Sequence, residues 1–78
     1  MPTVYNSQDI ANRIRKRAKM QGKTLRDLLA ECGLGINTVS NIHNGKDILT
    51  LNFAKLADGL DCSVDYLLGR TDNPDINR

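Results

Sequence analysis

Few side chains in this sequence could do covalent chemistry. His43 is the single histidine, and Cys32 and Cys62 are the only cysteines. A lone imidazole with no thiol or carboxylate constellation around it is a packing or capping residue before it is a catalyst. Two cysteines thirty residues apart do not make a zinc pattern, and they read as small apolar fillers in a reducing cytoplasm. Asp58, Asp61, Asp65 and Asp72 lack calcium-loop spacing and read as caps and solvated surface. There is no nucleophile-base-orienter set and no Gly-rich phosphate loop. No catalytic residue, no metal, no cofactor and no enzymatic function are therefore expected.

What the chain offers instead is charge and hydrogen bonding. The net charge is only +2 over 78 residues, but it is unevenly placed. Residues 1–39 hold seven Lys/Arg against Asp9, Asp27 and Glu31, a net of +4, whereas residues 40–78 hold four against six Asp, a net of −2. Arg13, Arg15, Lys16, Arg17, Lys19, Lys23 and Arg26 follow one another with no anion between them. Such a block suggests an anionic partner, with nucleic acid the first candidate. A second stretch, Ile36–Asn44, carries Asn37, Thr38, Ser40, Asn41 and Asn44 with neither Lys nor Glu. Solvated helix faces usually carry charges, so a neutral polar face points to hydrogen-bond reading, and Asn pairs bidentately with adenine.

These groups need elements to hold them. Hydrophobic residues make up 40% and charged residues 26%, which excludes a disordered tail and fits one small globular domain. No run approaches the ~20 apolar residues of a membrane span, and the N-terminus lacks the pattern of an export signal. The periodicity predicts five helices. Ser7 is expected to cap the first, whose stripe is Ile10, Ala11, Ile14 and Ala18, ending near Gly22. Thr24 caps the second, with Asp27 as partner and Leu25, Leu28 and Leu29 facing inward. Gly33 turns the chain into a third helix over 36–43, which Val39 and Ile42 anchor and Asn44-Gly45 closes. Thr50 is expected to cap the fourth helix, carrying Phe53, Leu56, Ala57 and Leu60. Ser63 caps a short fifth that ends at Gly69. The expected fold class is all-α, a compact five-helix bundle, with residues 1–8 as an N-terminal tail and 70–78 as a polar C-terminal tail around a domain at 9–69.

Helix, glycine turn, helix over Thr24–Lys46 is a helix-turn-helix pattern. With TLRDLLAECGLGINTVSNIHNGK and FAKLADGLDCSVDYLLG in this order, the chain resembles the phage repressor/Cro-like helix-turn-helix family, the XRE type. The resemblance covers about residues 9–69 and needs no gap from Thr24 to Leu68. It implies a lambda-repressor-like DNA-binding domain acting as a homodimer in transcription regulation, as a repressor at a palindromic operator. By position it implies base reading by Ile36, Asn37 and Asn41, with Thr38 and Ser40 beside them. It implies phosphate contacts from Arg13, Lys23, Thr24, Arg26, Gly35, Asn44 and Lys46. Four to six such contacts per protomer would make binding strongly salt-dependent.

The chain departs from the family in three places. Leu29 stands where Ala is usual at a close helix crossing, so a wider crossing is expected. Ala18 and His43 stand where an Arg–Glu pair is common. Asp47-Ile48-Leu49 replaces a basic loop, and an anion there would repel phosphate. The partners expected are double-stranded DNA and a second copy, with no membrane, in the bacterial cytoplasm at the nucleoid. The rival reading is a protein-interaction module of the same fold, an antitoxin or adaptor that docks a partner through Ile48, Leu49 and Leu51.

Overall fold

The computed structural model describes residues 5–76. Its helices are α1 (Ser7–Met20), α2 (Leu25–Glu31), α3 (Thr38–His43), α4 (Thr50–Gly59) and α5 (Val64–Leu68), and no strand is present among the described residues. The all-α expectation holds, as does the five-helix count.

Helix boundaries follow from local chemistry. Thr24 and Ser63 cap as expected, their hydroxyl oxygens accepting from Asp27 N–H at 3.1 Å and Tyr66 N–H at 3.0 Å. Two expected caps are corrected. Asn6, not Ser7, caps α1: its backbone is extended and its Oδ1 accepts from Asp9 N–H at 3.1 Å, so Ser7 already lies inside the helix. Asn caps at least as well as Ser, and it comes first in the chain. Thr50 is likewise the first residue of α4, and Leu49 occupies the cap position with no side-chain bond. Ile48 and Phe53 stand at the two positions of a hydrophobic staple and line one groove. Apolar packing thus sets this helix entry where a polar cap was expected.

Ile14, Leu28, Leu56, Leu60 and Leu67 are fully buried and join Ala11, Ala18, Val39, Ile42 and Phe53 in one core. Leu29 belongs to this core at 2% exposure, so the core accommodates the larger side chain. Helix α1 runs through the centre, packing chiefly on α3 and also on α2 and α5, while α4 spans α2 and α5. Cys62 is buried; Cys32 is half-buried and its thiol donates to the Lys55 carbonyl at 3.3 Å. Burial pushes both thiols above the ordinary cysteine pKa, so both stay protonated fillers.

The C-terminal stretch is more ordered than a polar tail. Pro74 O accepts from Ser63 N–H at 2.9 Å, which gives the α5 cap residue a backbone partner. Asn73 N–H donates to Thr71 Oγ1 and Asp75 N–H to Asn73 Oδ1, folding residues 71–75 into successive turns. Ile76 then reaches a groove beside Cys62 and Val64.

Asp61, just past α4, holds φ at +51°, the only non-glycine residue with positive φ among those described. L-residues pay roughly 1–2 kcal/mol there, and glycine returns some of that through its freer unfolded chain. Asp61→Gly is therefore expected to raise stability by about 0.5–1 kcal/mol, read as a higher urea midpoint at unchanged m.

Candidate nucleic-acid interface

The surface is built from the turn outward. Gly33 takes φ +69°, a left-handed value that a side chain resists, and Leu34 N–H then reaches back to Leu29 O at 2.8 Å. This closes α2 and launches the chain toward α3. Gly45 does the same at φ +87°, with Lys46 N–H donating to Asn41 O at 2.9 Å. Between these stops, Val39 and Ile42 are buried and fix the roll of α3.

Helix α3 is shorter than expected. Ile36 and Asn37 form a turn before it and are not part of the helix. The cause is at Gly35, whose carbonyl accepts both Thr38 N–H at 3.1 Å and Thr38 Oγ1–H at 2.6 Å. Those two hydrogen bonds to one carbonyl hold residues 35–38 in a turn. They also employ the Thr38 hydroxyl inside the chain, and Thr38 is half-buried.

Asn37, Ser40, Asn41 and Asn44 are exposed, and none of their side chains enters a hydrogen bond among the described residues. Ile36 is 63% exposed beside them. Four polar side chains with unused donors and acceptors therefore share one short segment. At its approach, Gly35 leaves open space where a Cβ would stand, so a phosphate could come close to the backbone. Thr24 is exposed and its hydroxyl hydrogen remains free after the oxygen caps α2. Arg26 and Lys46 are exposed and form no ion pair among the described residues.

Arg13 and Lys23, expected at phosphate, have partners inside the chain. Arg13 Nη1 donates to Tyr66 O at 3.2 Å, Nη2 lies 3.5 Å from Asp72, and the guanidinium stands 5.4 Å from the centre of the Tyr66 ring. Lys23 Nζ donates to Gly59 O at 2.8 Å and to Glu31 at 3.0 Å. Arg17 donates to Leu60 O at 3.0 Å and Asp61 O at 2.9 Å. All three cations sit on carbonyls in or just past the last turns of α4 and α5, where the dipole is negative and carbonyl lone pairs remain to accept. These bonds join residues 36 to 53 positions apart. The cations are legible in the sequence, whereas no local pattern announces their acceptors.

The three departures also find their places. Ala18 is in the core, and His43 turns a buried Nδ1 inward without a hydrogen-bond partner. Packing therefore replaces the family's ion pair. Asp47 is exposed and lines a groove of about 390 Å3 together with Thr38 and Asn41. The anion thus stands beside Thr38 and Asn41. Ile48 packs against the core, whereas Leu49 and Leu51 are 74% and 76% exposed.

Asp47→Lys replaces a repelling charge with an attracting one at that groove. It is expected to raise affinity for duplex DNA severalfold at low salt and to steepen the salt slope by about 0.9 per protomer. Binding titrations at several salt concentrations read both.

A capped α2, a glycine turn and a short polar α3 rolled outward by two buried anchors define a helix-turn-helix domain. The Helix-turn-helix family model matches residues 14–67, and the chain belongs to this family. With that membership the class is settled: the chain is a DNA-binding regulator of the XRE type, not an enzyme. A crystal structure of a hypothetical transcription factor, NHTF from Neisseria, is similar in fold, with a TM-score of 0.70 at 23% identity over 87% of this chain and 85% of that one. No curated protein matches the chain. No helix among the described residues is long and apolar enough to cross a membrane.

Proposed function

We propose that this chain is a transcriptional repressor that binds a palindromic operator as a homodimer, with the segment 36–44 in the major groove and no cofactor. The observation that carries the reading is the set Asn37, Ser40 and Asn41, exposed and with side chains that enter no hydrogen bond among the described residues. Ile36 and Thr38 flank them. Arg26 and Lys46 supply charge to phosphate, and Thr24, Gly35 and Asn44 supply polar backbone or side-chain contacts. The engagement of Arg13 and Lys23 within the chain moves them to a supporting role. Two cations per protomer give about four per dimer and a salt slope of roughly −3 to −4. Two-fold symmetry sets half-sites about 34 Å apart. The place of action is the bacterial cytoplasm, at the nucleoid.

In-vitro selection from random duplexes tests this directly. A palindromic motif is the expected result, and recovery of no motif would overturn it. Exposure of Leu49 and Leu51, with Leu49 lining the same groove as Asp47, favours a second reading, an antitoxin or adaptor that docks a protein partner there. Retention on duplex DNA at low salt separates the two.

A further inference from the structure

The reading segment carries one side chain that hydrogen bonding does not explain. Ile36 is 63% exposed, lies outside the core cluster, and sits between Gly35 and Asn37 at the entry to α3. An isoleucine there offers no donor, no acceptor and no charge, so it serves neither phosphate nor polar base edges. Thr38 holds the turn that presents it, through the two bonds to Gly35 O. The turn aims Ile36 away from the core at the N-terminal lip of α3, the part of a recognition helix that meets base edges.

The major groove displays a single apolar group, the C5-methyl of thymine. We infer that Ile36 is a specificity-determining residue that reads a thymine methyl in each half-site. The inference rests on the base-reading role proposed above for this segment. It goes further by naming the chemistry read: a methyl, in place of a donor or acceptor. Asn37 and Asn41 beside it suit adenine, so an A·T-bearing half-site follows from the two chemistries together. Gly35 adds no side chain that could shield the contact, and a Cβ there would meet only open space.

Deoxyuridine differs from thymidine by this methyl alone. Once selection has yielded an operator, each thymine is replaced in turn by deoxyuridine, symmetrically in both half-sites. Affinity is then measured for the wild-type chain and for Ile36→Ala. Burial of one methyl-sized group sets the expected loss at about fourfold per half-site, so about tenfold or more for the symmetric operator. The loss is expected at one thymine position per half-site and should fall below twofold in Ile36→Ala. Ile36→Val, which keeps a branched apolar contact, should retain most of the discrimination. Because Ile36 is exposed, Ile36→Ala should melt with the wild-type chain, and circular dichroism checks this. Equal binding of thymine and uracil duplexes at every position would overturn the inference while leaving base reading intact. The same would follow from an undiminished uracil penalty in Ile36→Ala. A selection that recovers no motif would overturn both.

Discussion

Ile14→Ala is expected to cost about 3–4 kcal/mol and to lower the melting temperature by roughly 15–25 °C. Ile14 is fully buried on α1, the helix that packs chiefly against α3 and also meets α2 and α5. Removing three carbons there forfeits burial and leaves a cavity that three neighbouring helices cannot all close. A domain of this size holds only about 4–12 kcal/mol in total, so the loss takes a large share of it. Thermal and urea melts of the same variant give the two numbers, with m unchanged if only stability has moved. Leu51→Ala is the control, because a side chain 76% exposed should change stability by less than about 0.5 kcal/mol. A fall of less than 1 kcal/mol for Ile14→Ala would mean that α1 is not the centre of the core.

The same central position explains what could be read from the sequence. The inward residues of α1 and α4 follow from spacing, because a helix repeats every 3.6 residues whatever it later touches. Turn glycines and the Thr24 and Ser63 caps were legible for a similar reason: their partners lie within five residues. Local pattern does not suffice where the deciding group lies elsewhere. Asn6 displaced Ser7 because two capping residues stood side by side and only backbone geometry chose between them. The start of α3 was set back by the Thr38–Gly35 bonds, which compete with helix at Ile36 and Asn37. The cationic character of Arg13, Arg17 and Lys23 is legible in the sequence, but their acceptors arrive only when α4 and α5 have packed.

That last point changes the meaning of the charge asymmetry. A cationic front half and an acidic back half resemble a protein polarised between an anionic ligand and solvent. In the folded chain, part of the asymmetry is internal. Basic residues of α1 and the α1–α2 turn bond to the carbonyl ends of α4 and to an α5 carbonyl, and Arg13 and Lys23 also meet Asp72 and Glu31. The charge left for a nucleic acid is correspondingly smaller. With fewer phosphate contacts, non-specific affinity is weaker, and more of the binding free energy must come from the bases.

Asn41→Ala should therefore have a larger effect on sequence preference than on the salt slope. A bidentate base contact discriminates by about 1–3 kcal/mol, which is about five- to 150-fold at one base position per half-site. Asn41 is exposed and makes no competing side-chain bond among the described residues, while its backbone carbonyl holds Lys46 N–H; alanine keeps that carbonyl and removes only the amide. The fold should be unchanged and the preferred base at that position lost. Lys46→Ala should do the converse. It keeps the backbone bond that closes α3, removes one charge per protomer, and weakens all duplexes alike, with the salt slope flatter by about 0.9 per protomer. Titrating both variants on the selected operator, on a one-base mismatch and on unrelated duplex, at two salt concentrations, separates the two effects. If Asn41→Ala weakened operator and unrelated duplex by the same factor, Asn41 would be a backbone contact, and the reading of bases would shift to Asn37 and Ile36 at the entry of α3.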